Sequence, residues 1–297
     1  MRADERSFAA PAPRRIYPAQ WQLAVEVLAS VLADGRAADR LLQHEFRQRR
    51  QMGGRDRAIV SDLVYGVLRD LRRLQRMAGD DAARCCAALA LESGQIDIAG
   101  LQRLGLADAE ALAARMSAFD ASALTPAELG NVPDPIHAIW TASLGAPQTE
   151  ALARALQGQA TVDLRVNTLR ATPAAAQAAL AEEGLEATTL EWAPSGLRLH
   201  KRATLQNTKA YRDGWVEPQD QGSQLLALLV AAQPGEKIAD YCAGAGGKTL
   251  ALAAQMQDRG ELWAMDSEAQ RLQRMLPRLE RAGVGCVRVQ ALDEHGG

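Results

Sequence analysis

Aromatic side chains are scarce, at 4% of the 297 residues. The cores must therefore be aliphatic, drawn from an apolar content of 47%. No stretch approaches the ~18 uninterrupted apolar residues that a membrane-crossing helix needs. The first fifteen residues carry charges but no apolar run, which argues against a secretory signal. The only cysteines are Cys85, Cys86, Cys242 and Cys286. They show no framework spacing and no Cys-x-x-Cys, and adjacent Cys85 and Cys86 cannot form an ordinary disulfide with each other. The four histidines are scattered, so no metal site is expected. A reducing, cytoplasmic setting fits this cysteine usage.

Net charge is also nearly lacking, at −2 over the whole chain. Its distribution is uneven. Residues 1–78 hold fifteen Arg, no Lys and nine Asp or Glu, a local net of +6, so the remainder carries −8. Arg47, Arg49, Arg50, Arg55 and Arg57 fall close together, and Arg69, Arg72, Arg73 and Arg76 follow. Arginine forks match phosphate oxygens. Two readings stay open: a surface that binds a polyanion, and a solvated helix face in an Arg-rich composition.

Residues 1–18 read as a loose arm with three prolines. Helical periodicity follows. Trp21, Ala24, Val25, Leu28, Val31 and Leu32 mark one helix, and Leu41, Leu42 and Phe46 a second. A third begins near Arg55 with Ile59, Leu63 and Val67, and shorter ones cover 82–93 and 108–116. Pro133 and Pro135 open the last helices of this all-α region. At 161 the pattern changes. Val162, Leu164 and Val166 alternate as a strand. Thr172-Pro173 is a helix start, and strands near 186–191 and 197–200 complete a small β-α-β-β unit. A linker with Tyr211, Gly214 and Trp215 leads on. From 220 the order is helix, strand 237–242, helix from Gly247, strand 261–266, helix 268–282 and strand 286–289. That alternation predicts a parallel half of a Rossmann-like domain.

The segment Asp240-Tyr241-Cys242-Ala243-Gly244-Ala245-Gly246-Gly247-Lys248-Thr249 leaves a strand and enters a helix. Small residues let the backbone approach a ligand, and the new helix offers free N–H groups and its positive dipole end. Asp266 ends the next strand, twenty residues after Gly246, where an acid can accept ribose hydroxyls. A nucleoside-containing cofactor is expected; the alternative is a tight turn with no ligand. A P-loop fails because its first Gly falls on Cys242, and a dinucleotide fingerprint fails at Thr249. S-adenosylmethionine remains.

These residues resemble a known family. Asp240 to Thr249 is similar to motif I of the RsmB/NOP/Sun family of RNA cytosine-5 methyltransferases, with Gly244-Ala245 where the family has Ala-Pro. Gln219-Asp220-Gln221-Gly222-Ser223 resembles its Gln-Asp-x-x-Ser block. Leu164-Arg165-Val166-Asn167 resembles its Leu-Arg-Val-Asn strand. The region from Arg57 to Arg72 is similar to the NusB-like domain of many bacterial members. The resemblance implies that Cys242, Ala243, Gly244, Ala245, Gly246, Gly247 and Lys248 line the methionine end of S-adenosylmethionine. It implies that Asp266 holds the ribose and Asp293 sits near the adenine; the bland reading of Asp293 is a solvated turn acid. The resemblance implies RNA, ribosomal RNA in particular, as the partner. Arg49, Arg50, Arg55, Arg57, Arg165 and Asn167 are the candidate contacts.

The family works through a cysteine thiolate that adds to the cytosine ring, aided by a second cysteine, in Asp-Ala-Pro-Cys and Thr-Cys turns. Neither turn occurs in this sequence. Cys242 belongs to the cofactor turn, Cys85 and Cys86 to helix packing, and Cys286 to a strand facing the core. No catalytic residue is therefore assigned. The chain reads as truncated before the catalytic motifs, with the expected cysteines lying beyond Gly297. Its first Rossmann strand is expected to lack a neighbour and to present an apolar edge. The expected architecture is multidomain α and α/β. An all-α NusB-like RNA-binding domain spans 19–145, and a small α+β (RRM-like) linker unit spans 146–215. A partial Rossmann-like class I methyltransferase domain spans 216–297. The expected protein is a monomer with no metal and no membrane contact. The alternative function is a non-catalytic RNA-binding or cofactor-binding fragment.

Overall fold

A computed structural model describes residues 15–293. The chain forms two compact units that divide between Gln159 and Ala160. The fold is mixed helical and α/β, with two sheets among the described residues. Two expectations fall on segments outside the described residues. One is the greater part of the N-terminal arm expected over 1–18, of which residues 1–14 lie outside; Pro18 already opens α1. The other is the truncation at Gly297, with the catalytic cysteines placed beyond it, since 294–297 also lie outside.

The first unit is helical: α1 (Pro18–Asp34), α2 (Ala38–Gln48), α3 (Gly54–Arg69), α4 (Leu71–Ala78), α5 (Ala82–Glu92), α6 (Ile98–Arg103), α7 (Ala109–Ser117), α8 (Pro126–Leu129), α9 (Asp134–Leu144) and α10 (Ala146–Gln157). Helix α5 packs against α1 and α3. It can approach closely because its buried face is Cys85, Cys86, Ala87, Ala88 and Ala90, all small. Against it lie Leu23, Ala24, Val27 and Leu28 of α1 and Val60, Leu63, Val64 and Val67 of α3. Caps fix the helix starts. Asp81 accepts the Arg84 N–H at 2.9 Å, and Thr125 and Glu128 form a reciprocal capping box on α8.

The second unit opens with β1 (Val162–Val166), α11 (Pro173–Glu182), β2 (Ala187–Thr189), β3 (Gly196–Leu199), α12 (Lys209–Arg212) and β4 (Val216–Pro218). The sheet order is β2-β3-β1-β4, all antiparallel. Thr172 caps α11 by accepting the Ala175 N–H at 3.2 Å, as its sequence predicts. Leu164, Val166, Leu180, Leu197, Leu199 and Val216 form the core beneath α11. The stretch expected to be a plain linker contains both α12 and β4. Three residues ending in proline give no alternation to read; pairing with β1 makes them a strand.

The unit continues with α13 (Gln221–Val230), β5 (Lys237–Asp240), α14 (Gly247–Gln255), β6 (Glu261–Asp266), α15 (Ala269–Ala282) and β7 (Val287–Ala291). The order β5-β6-β7 is parallel. Strand β5 ends at Asp240, two residues earlier than expected, because Tyr241 and Cys242 already belong to the turn. Among the described residues β5 pairs only with β6. Leu226, Leu229 and Val230 of α13 are exposed. The lack of a second neighbour is as expected, but the exposed apolar residues belong to α13, and the β5 strand itself exposes Lys237 and Ala239.

The two sheets of this unit are bolted together. Asn167 Nδ2 donates to the carbonyls of Gly214 and Ala282, each at 3.0 Å. Arg170 Nε also donates to Ala282 O at 3.2 Å. Gly214 has φ +73° and lies so close to the Arg281 carbonyl that any Cβ there would overlap it. That position requires glycine for both conformation and space.

Candidate cofactor site

The site is built where β5 hands over to α14. Gly244 (φ +55°) and Gly246 (φ +86°) take left-handed conformations that turn the chain sharply. Around them the turn is pinned. The Ala243 N–H donates to Met265 O at 2.9 Å, and the Gly246 N–H to Ala243 O at 2.9 Å. Thr249 Oγ1, fully buried, donates to Asp240 Oδ2 at 2.7 Å. Helix α14 thus begins at Gly247 with its first N–H groups free of intrahelical partners.

Asp266 closes the site from β6. Its Oδ2 accepts the Gly244 N–H and its Oδ1 the Glu268 N–H, each at 2.8 Å. The backbone N–H groups of Glu268 and Gly244 hold its carboxyl below the usual carboxylate range. An ionised carboxylate has about four acceptor sites, so each oxygen can still accept a hydroxyl. Leu292 N donates to Asp266 O at 3.0 Å. Asp293 therefore follows immediately after a bond to the same residue, at the same end of the sheet, and is exposed.

Beside the turn lies a cleft of about 340 Å³. Gln219, Asp220 and Ser223 line one wall, and Cys242, Gly247 and Lys248 the other. The structure therefore brings Cys242 to Lys248 together with Asp266, and adds the Gln-Asp-x-x-Ser block as the facing wall. It also adds Arg278, which the sequence reading missed. Arg278 Nη1 donates to Ala245 O at 2.5 Å, and its Nε and Nη2 donate to Glu217 Oε2 at 3.2 and 3.0 Å. Nothing local marks Arg278 among the charged residues of α15; only the tertiary fold brings it to the turn.

Two expected RNA contacts are corrected. Arg165 is 4% exposed and Asn167 2% exposed. Arg165 Nε donates to Gln219 Oε1 at 2.7 Å, and Asn167 serves the joint described above. Arg165 on β1 and Asn167 just after it are both buried, so neither side chain faces outward to RNA. In the first unit Arg57 is spent locally, donating to Met52 O at 3.0 Å and Phe46 O at 3.2 Å. Arg49 pairs with Glu26 at 3.3 Å and with Glu45. Arg50 and Arg55 are exposed and make no ion pair among the described residues. Arg72, Arg73 and Arg76 pair with Asp134, with Asp70 and Glu92, and with Glu128.

None of the cysteines sits as an activated nucleophile. Burial pushes the Cys85 thiol up to about 11 and raises Cys86 as well. Cys286, expected to face the core, is only half-buried. Desolvation and its bond to Asp258 push it up to about 12. Cys242 is exposed on the cofactor turn.

Residues 133–206 match a family described as RsmF/B-like methyltransferase, ferredoxin-like domain. Residues 227–296 match the family described as 16S rRNA methyltransferase RsmB/F. A relative from Synechocystis, named probable ribosomal RNA small subunit methyltransferase B, is 30% identical over 58% of this chain and 39% of its own length. The chain thus spans about two fifths of that relative. A solved structure titled PH0851 covers 94% of this chain and 70% of its own, at TM-score 0.71 and 19% identity. NSun6 from Pyrococcus horikoshii, solved with SFG, covers 54% of this chain and 65% of its own, at TM-score 0.50 and 18% identity.

Proposed function

Because the chain belongs to the RsmB/NOP/Sun family of RNA cytosine-5 methyltransferases, we propose that its second unit holds S-adenosylmethionine for methyl transfer to cytosine in ribosomal RNA. The observation that carries this reading is the pairing of the glycine-rich turn with Asp266. The turn exposes helix N–H groups suited to a carboxylate, and the acid keeps acceptor capacity for ribose hydroxyls. Cys242 to Lys248 would line the methionine end, Asp266 would hold the ribose, and Asp293 would stand near the adenine. When bound, S-adenosylmethionine supplies the methyl group; the chain's own residues bind and orient it. The helical region 19–145 is the RNA-guiding domain in this reading, with the exposed Arg50 and Arg55 as its phosphate donors. Residues 146–215 are the spacer unit and 216–297 the cofactor half. The protein acts as a monomer in the cytoplasm.

A second reading is favoured by the cysteines. With Cys85, Cys86 and Cys286 held as neutral thiols and Cys242 on the cofactor turn, the residues described can bind without supplying a nucleophile. That is an RNA-binding or cofactor-binding fragment.

Calorimetric titration with S-adenosylmethionine, ATP and NAD tests the cofactor assignment. Saturable binding of S-adenosylmethionine alone, weakened about tenfold or more by Asp266→Ala, is expected. Preference for ATP or NAD would reject it.

A further inference from the structure

The second unit gathers three arginines around one buried carboxylate beside the cofactor cleft. Glu217 on β4 is 2% exposed. Its carboxylate receives Arg278 at 3.0 Å on Oε2 and Arg281 on Oε1. Arg165 lies close enough that Glu217 raises its pKa and Arg278 lowers it, and burial, the largest effect, brings it to about 10. Two guanidinium groups thus bond one carboxylate, and the third belongs to the residue opposite it across the β1–β4 pairing. Arg281 is turned inward, stacked 4.2 Å from the Tyr211 ring centroid. Arg165 is committed to Gln219. Arg278 alone of the three reaches the cleft.

Its hydrogen bonds can be counted. A guanidinium carries five N–H donors. Arg278 uses Nε and one N–H of Nη2 on Glu217, and one N–H of Nη1 on the Ala245 carbonyl. One N–H on each Nη is left without an acceptor among the described residues. Both belong to a side chain lining the same cleft as Gly247 and Lys248. The neighbouring Gln219 is oriented the same way. Its Oε1 is taken by Arg165, so its Nε2, bonded to Ser223 Oγ at 3.2 Å, presents a donor to the cleft.

We infer that Arg278 binds the carboxylate at the amino-acid end of the cofactor, and that Glu217 is the positioning residue that aims it. The inference rests on the S-adenosylmethionine reading above. It makes the small antiparallel sheet part of the cofactor site, since β4 supplies the group that orients a cofactor ligand on α15. The gathering of three cations around one carboxylate then has a physical purpose, because a bound carboxylate adds negative charge beside them. The two remaining N–H bonds also suit the planar fork of a carboxylate better than a single ammonium would.

The test compares S-adenosylmethionine with 5′-methylthioadenosine, which keeps the nucleoside and sulfur but lacks the amino-acid carboxylate. Calorimetric titrations would use the whole chain, Arg278→Met, Arg278→Lys and Glu217→Gln. Arg278→Met should weaken S-adenosylmethionine binding by about ten- to a hundredfold and leave 5′-methylthioadenosine unchanged. The retained nucleoside affinity shows that the variant is folded. Arg278→Lys should recover part of the loss, and Glu217→Gln should fall between Arg278→Lys and Arg278→Met. Equal weakening of both ligands by Arg278→Met, or weakening of neither, overturns the inference while leaving the cofactor reading intact. Failure of the unsubstituted chain to bind either ligand overturns both.

Discussion

Gly246 condenses the site into one residue. Its φ of +86° is costly for any residue with a Cβ, and a Cβ there would also run into the Met275 side chain. Met275 is fully buried, so it has little room to yield. Gly246→Ala should destabilise the second unit by about 1–3 kcal/mol. A lower urea midpoint at unchanged slope would show this, whereas an unchanged midpoint would mean the turn relaxes freely. Single residues also mark where sequence reasoning stopped. The glycines, Lys248 and Asp266 were legible because a strand–turn–helix with an acid at the next strand end constrains residue type locally. Arg278 and Glu217 were not. Each is an ordinary charged residue in its own element, and their meaning comes from a contact spanning 61 positions.

Elements repeat the lesson. Helices α1, α3 and α5 and strands β1 and β6 follow their hydrophobic periods, so they could be read directly. Strand β4 could not, because its three residues are too short for a period and it exists through pairing with β1. The same shortsightedness sent Arg165 and Asn167 to an imagined RNA surface. Alternation predicts two faces for β1 but not what covers them, and in the structure residues on both are buried. Asn167 instead ties the end of β1 to the Gly214 carbonyl before β4 and to the Ala282 carbonyl at the end of α15. Asn167→Ala leaves those buried acceptors short of a donor. It should cost about 1–3 kcal/mol of stability and leave the salt dependence of RNA binding unchanged. A flattened salt slope with unaltered stability would restore the RNA role and remove the structural one.

At the scale of the whole molecule, two units share the labour unevenly. The first is a helical body in which several arginines, among them Arg49, Arg72, Arg73, Arg76 and Arg84, pair with its own acids, so part of its basic charge is internal. Arg50 and Arg55 are exposed and make no ion pair among the described residues. The second unit joins a four-stranded antiparallel sheet to a three-stranded parallel one, and the cofactor cleft forms at their junction. Among the described residues β5 stands at the edge of the parallel sheet, and Leu226, Leu229 and Val230 of α13 are exposed. Fold class and cofactor turn were both readable from the sequence, since each rests on local pattern. The role of the small sheet in supporting the cleft was not, because it depends on buried charge shared between elements distant in sequence. The central claim, that this junction holds S-adenosylmethionine, is tested most directly by a crystal structure of the chain with that ligand. The account predicts ribose hydroxyls on the Asp266 carboxylate and the methionine carboxylate between Gly247 and Arg278. A nucleoside bound away from Asp266, or a ligand absent at saturating concentration, would contradict it.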